Sequence, residues 1–215
     1  LVTGLMWVQA RGTKQTWAAA LAGAAACRVG GYDDWRMPTI HELYSLILFS
    51  GENGQGFTTT AGYVPFINTN VFGFAYGSGI GDERVIDCQD WSATPYVSTT
   101  MNGDITIFGV NFSDGRIKGY PRYVPGSGNT TEQSMYFRYV RGNPGYGVNH
   151  FVNNGDGTLS DRGTRLMWTR DDSGTGMNWE EALAYARDRN ATNHLGYSDW
   201  RLPNAKELHS ILDYT

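Results

Sequence analysis

Apolar positions recur along the chain in two rhythms. Trp17, Leu21 and Ala24 fall at helical spacing, as do Trp179, Leu183 and Ala186. Thr16 marks the start of the first of these helices. Asn178 starts the second, and Glu181 completes a capping box. A further helix is predicted after Pro38 and again after Pro203, opened by Thr39 with Glu42 and by Asn204 with Glu207. Leu43, Leu46 and Ile47 form its buried stripe, and Leu208, Ile211 and Leu212 repeat it. The rhythm then changes to period two. Trp91 to Tyr96 opens a strand-rich half. Ile105 to Phe112 alternates, turns at Ser113-Asp114-Gly115, and returns as Arg116 to Tyr120; Ser134 to Arg141 is the final strand. Phe151 to Asp161 reads as strand, Gly/Asn turn and strand, followed by a strand over Arg165 to Thr169. Residues 50 to 85 are mostly loop. Two helices followed by an antiparallel meander define an α+β domain.

The pattern occurs twice. Gly31 to Ile47 aligns with Gly196 to Leu212, with nine of seventeen pairs identical, and Thr3 to Trp7 aligns with Thr164 to Trp168. The spacing between copies grows from 161 at Trp7 and Trp168 to 165 at Trp35 and Trp200. Such a period exceeds any solenoid repeat and predicts tandem globular domains. Residues 1–145 form the first copy, which lacks the lead-in strands, and residues 146–215 are the first part of a second copy. The chain opens at Leu1 without an initiator Met or signal peptide and closes at Thr215 directly after a helical pattern. It reads as a mature or trimmed segment.

Composition narrows the classes. The 215 residues are 40% hydrophobic and 18% charged, enough apolar surface for a folded core. The longest apolar run, Trp17 to Cys27, is 11 residues, against the roughly 18–20 a bilayer-spanning helix needs. No membrane insertion is expected. A net charge of −4 argues against nucleic acid as partner, because a phosphate backbone demands a basic face. Two cysteines, Cys27 and Cys88, are too few and too far apart for a zinc site; one disulfide or two buried thiols both remain open.

Catalytic chemistry finds few candidates. His41-Glu42-Leu43-Tyr44-Ser45 begins like a zinc-protease helix, but Ser45 stands where the second histidine belongs. His150, His194 and His209 show no ligand spacing, and Gly77 to Gly81 lacks dinucleotide-binding spacing. No enzyme activity, metal or cofactor is expected. Calcium keeps two weak candidates: Asn154, Asp156 and Asp161 in the lead-in turn, and the acidic group Glu83, Asp87 and Asp90. The Asp-Trp-Arg blocks are a structural motif, Asp34, Trp35, Arg36 and Glu42 in one copy and Asp199, Trp200, Arg201 and Glu207 in the other. Arg36, beside a buried Trp, needs a carboxylate, and Asp34 or Glu42 is the expected partner. For binding, the strand-rich half offers Trp91, Tyr96, Lys118, Tyr120, Arg122, Tyr136 and Arg138. Residues 112 to 145 hold five basic residues against two acidic ones. Aromatic faces beside Arg and Lys suit sugar rings and acidic groups.

The Thr-Gly-Leu-Met-Trp strand, the Trp-led helix, Gly31 to Leu43, Trp91 to Thr94 and Val140-Arg141 together resemble the C-terminal domain family of the Legionella collagen-like adhesin. The Trp-Arg-x-Pro-x-x-x-Glu block is also similar to the core of formylglycine-generating enzymes and C-type-lectin-like proteins. The resemblance implies a C-type-lectin-like fold and binding to sulfated glycans. Formylglycine-generating chemistry would need a close cysteine pair, which Cys27 in a helix and Cys88 in a loop do not offer. The expectation is an extracellular or cell-surface bacterial adhesion module that recognises glycan or another surface polymer. The alternative is self-association into an oligomer or head-to-tail filament, in which a neighbouring chain completes the broken second copy through Leu208, Ile211 and Leu212.

Overall fold

The computed structural model describes residues 3–214; Leu1 and Thr215, where the sequence begins and closes, lie outside the described residues. The chain folds as two units, one running to Pro144 and including Tyr214, the other Gly145–Asp213. No described helix is long and apolar enough to cross a membrane. The architecture is α+β, with few short helices and several small antiparallel sheets.

The first unit begins with β1 (Leu5–Trp7), β2 (Gln15–Thr16), α1 (Trp17–Gly23) and α2 (Ile40–Tyr44). Thr16 caps α1 by accepting from the Ala19 N–H, and the helix tightens into a 3-10 turn over Ala24–Ala26. At α2 the predicted capping box is complete. Thr39 Oγ1 accepts from the Glu42 N–H at 3.2 Å, and Glu42 accepts from the Thr39 N–H at 2.8 Å.

The meander follows as β3 (Asp90–Thr99), β4 (Ile105–Asn111) and β5 (Arg116–Pro121), in spatial order β3-β4-β5. Its registers pair Trp91 with Gly109 and Gly109 with Lys118. The predicted final strand is broken. β6 (Ser134–Met135) pairs with β2, and β7 (Val140–Gly142) pairs with β1. Between them Tyr136 bridges Asp90, and Arg138 turns into the interior. The break lets one short stretch of chain close two separate sheets.

Pleating divides the meander between two cores, because alternate residues face opposite sides. One core gathers Ala20, Ala24, Trp35, Met37, Trp91, Ile107, Met135 and Tyr139 beneath α1. The other gathers Ile40, Leu43, Ile47, Ile67, Val110 and Phe112 beneath α2.

The second unit contains β8 (Phe151–Asn153), β9 (Thr158–Asp161), β10 (Leu166–Thr169), α3 (Trp179–Ala191) and α4 (Ala205–Ser210). Its three strands run in the order β10-β9-β8. Capping boxes open both helices, on Asn178 with Glu181 and on Asn204 with Glu207. The stripe predicted to be buried is not: Leu208, Ile211 and Leu212 are exposed, whereas Leu43 and Ile47 are buried. In the first unit α2 lies against β3 and β4, and the second unit has no corresponding meander.

Candidate functional site

The Asp-Trp-Arg motif has the same local design in both copies. Trp35 Nε1 donates to the Val29 carbonyl at 3.0 Å, and Trp200 Nε1 to the His194 carbonyl at 2.9 Å. Arg36 forks onto Glu42 at 2.6 and 2.5 Å, and Arg201 onto Glu207 at 2.7 and 2.5 Å. Glu42, not Asp34, is therefore the partner of Arg36. Asp34 accepts from Arg141 at 2.5 Å, and this hydrogen bond holds its carboxyl below the usual aspartate range. Each Arg–Glu fork ties the end of an extended segment to the first turn of a helix.

The electrostatic centre of the first unit is Asp90, fully buried at the start of β3. It accepts from Arg11 Nε at 2.8 Å and Nη2 at 2.6 Å, and from Arg138 Nε at 2.6 Å. Burial drives its carboxyl upward, but the two guanidinium charges outweigh that, and the net direction is down. Arg11 also bonds the Ala75 and Cys88 carbonyls and covers the Tyr136 ring at 3.8 Å. Arg138 sits between the Phe72 and Phe112 rings. This network joins the N-terminal segment, the meander and the chain before β7.

The seven candidate binding residues do not share one exposed face. Trp91 is buried, its Nε1 donating to the Gln15 carbonyl, with Tyr120 packed edge-on at 6.3 Å. Burial pushes the Tyr120 hydroxyl well above its ordinary pKa. Tyr136 is roofed by Arg11 and Lys14, and Arg138 is buried on Asp90. Lys118 and Arg122 reach the surface but pair with Asp114 and Glu132. Only Tyr96, 39% exposed, stands on the opposite side of the sheet, edge-on to Phe108 at 5.8 Å. There it borders an open groove of about 370 Å³ with Thr100, Asp104, Thr106 and Phe108, floored by Gly119 and Pro121. Thr106 bonds Thr100 across the groove at 2.6 Å. Sequence reading missed Asp104 and Thr106 because neither is aromatic or basic. The placement of Asp104 in the β3–β4 turn, with Thr106 just inside β4, was the available signal.

The acidic group near residue 85 does not converge: Glu83 pairs with Lys14, Asp87 with Arg84 and Asp90 with its two arginines. In the lead-in turn, Asp161 accepts from Asn149, the His150 and Gly163 N–H groups, and Thr164, while Asp156 accepts from Thr158. Those oxygens are already used in shaping the turn. Among the described residues no group of three or more His, Cys, Asp or Glu is placed to hold a metal. Both cysteines are free thiols, Cys88 buried and Cys27 half-buried.

Both units are α+β and share the Trp-Arg-Glu fork, while the buried Asp–Arg network belongs to the first unit. The family description "Lcl C-terminal domain" matches residues 1–141 and 157–215, and the chain belongs to that family, the Legionella collagen-like protein C-terminal domain family. Neither the comparison with curated proteins nor that with solved structures gives a match.

Proposed function

We propose that the chain is a non-catalytic, extracellular bacterial binding module of C-type-lectin-like form, and that its first unit recognises a glycan or similar surface polymer at the Tyr96 groove. The observation that carries this reading is the groove's chemistry. A half-exposed Tyr96 ring offers an apolar face to sugar C–H groups. Thr100 and the Asp104 carboxylate, which has no partner among the described residues, offer hydroxyl-directed hydrogen bonds. The cations of the meander are committed to Asp114 and Glu132, which favours a hydroxyl-rich ligand over a sulfated one. No cofactor is called for.

A glycan array spanning neutral and sulfated saccharides tests it, with wild type beside Tyr96→Ala and Asp104→Asn. Neutral glycans should bind, and either substitution should weaken binding at least about tenfold, the value of one good aromatic or charge-assisted contact. Binding that is confined to sulfated glycans, or unchanged by both substitutions, overturns it.

A further inference from the structure

The Tyr96 groove is shaped by what its strands leave out. In the β4–β5 register Phe108 stands opposite Gly119 and Thr106 opposite Pro121, so all four share one face of the sheet. Further along that face, Ile40 and Leu43 of α2 pack with Val110 and Phe112. At the Thr106 end β5 contributes only Gly119 and Pro121 to the groove. A Cβ at Gly119 would stand 2.7 Å from Thr106 Cγ2, so the floor there requires glycine. The β3–β4 turn supplies the far wall. Asn102 and Gly103 adopt left-handed φ of +62° and +76°. The Gly103 N–H then donates to the Thr100 carbonyl, and the Thr100 N–H to the Asp104 carbonyl, both at 3.0 Å. Asp104 is thus fixed through its main chain, while its carboxylate has no partner among the described residues.

The hydroxyls of this groove leave acceptors over. Thr106 Oγ1 donates to the Asp104 carbonyl at 3.2 Å, so the proton in its 2.6 Å contact with Thr100 comes from Thr100. Thr100 therefore presents lone pairs only, beside the acceptor-only Asp104 carboxylate. Of the lining side chains, the Tyr96 hydroxyl alone can still donate. Asp104 is also the one charged residue of the lining. Lys118 and Arg122 lie outside it, paired with Asp114 and Glu132. The half-exposed Tyr96 ring adds a π face, which attracts cations. An anionic group entering here would meet a like charge and a single donor. A cationic group rich in N–H meets a carboxylate, a hydroxyl lone pair and an aromatic face.

We propose that the groove selects a protonated amine carried on a sugar: an unacetylated amino sugar of a surface polymer, its ring on Tyr96 and its ammonium on Asp104 and Thr100. The proposal rests on the reading of this groove as a glycan site, and it ranks amino sugars above the neutral saccharides. An ammonium brings three donors and no acceptor, which matches a lining of acceptors. A sugar hydroxyl brings one donor and lone pairs that only the Tyr96 hydroxyl can satisfy. N-acetylation removes the charge and two of the three donors, and it adds a carbonyl for which the lining has little to offer. Every lining residue comes from the meander, between Tyr96 and Pro121.

The test titrates the 215-residue chain with a β-1,4-linked glucosamine tetramer and with its fully N-acetylated counterpart, by calorimetry, in physiological salt and at a pH where the amine is protonated. The amine form should bind about tenfold tighter, the scale of a part-exposed ion pair and a cation–ring contact together. In Asp104→Asn the two affinities should come within about twofold of each other. Amide shifts in the isotope-labelled chain should map to Tyr96, Thr100 and Asp104. An acetylated tetramer that binds as tightly as the amine overturns the proposal and leaves the glycan reading standing; binding of neither overturns both. An amine preference that survives Asp104→Asn also overturns it, because the preference then comes from the net charge of −4 on the whole chain and not from the groove.

Discussion

Removing the Asp90 carboxylate should destabilise the first unit more than any surface change. In Asp90→Ala, Arg138 and Arg11 stay in place with side chains 0% and 7% exposed and lose their shared counter-ion. Stripping one partner from a buried pair costs about 3–5 kcal/mol, since the remaining charge stays desolvated. At roughly 2–4 °C per kcal/mol for a unit of this size, the melting midpoint should fall by about 6–20 °C. Arg138→Met should cost less, because Asp90 keeps Arg11. Chemical unfolding followed by tryptophan fluorescence reads both, with Trp91 reporting from the affected core. The pH profile gives an independent check. The folded carboxyl is depressed below the unfolded value of about 3.9. Its stabilisation is therefore present above about pH 4 and is lost as the pH falls through the folded value. Asp90→Asn should lose that component of the acid transition. An Asp90→Ala cost under about 1 kcal/mol, or an unchanged acid limb in Asp90→Asn, would refute a network in which charge pairing outweighs burial.

Three further outcomes follow from the packing. Gly12→Ala places a Cβ about 2.5 Å from the Phe137 ring and should cost about 1–3 kcal/mol by thermal melting. Glu42→Gln should destabilise more than Glu207→Gln when both are unfolded in urea, because Arg36 and Glu42 are 33% and 1% exposed while Arg201 and Glu207 are 59% and 18%. A thiol-reactive disulfide should label Cys27 readily in the native chain and Cys88 only on unfolding, since Cys88 is buried and burial pushes its thiol up; equal labelling rates would count against that placement.

What the sequence displayed was local chemistry. The capping boxes, the Trp-Arg-Glu fork and the β4–β5 hairpin each depend on residues a few positions apart, and each lies where the pattern puts it. The binding residues were illegible for the opposite reason. Alternation groups Lys118 and Tyr120 of β5 with Arg122 just beyond it on one face, but only the core beneath α1, about a hundred residues earlier, decides that Tyr120 on this face is covered. Arg138 reads as a rim cation until Asp90, 48 positions away, is seen to neutralise it. The broken final strand was hidden likewise, since β6 and β7 find partners in β2 and β1 at the far end of the unit.

The pairing of Leu5 with Gly142 brings the first and last paired residues of the β1–β7 stretch side by side. A body whose ends are neighbours can be spliced into a host loop, or permuted, with a linker of only a few residues. Joining Leu5 to Gly142 and opening new ends at the exposed Gly126–Gly128 turn should leave every strand partner within that stretch in place. The gain from such rewiring falls on folding speed, because in the original order the first-made strand must wait for the last, and after the join the two are neighbours.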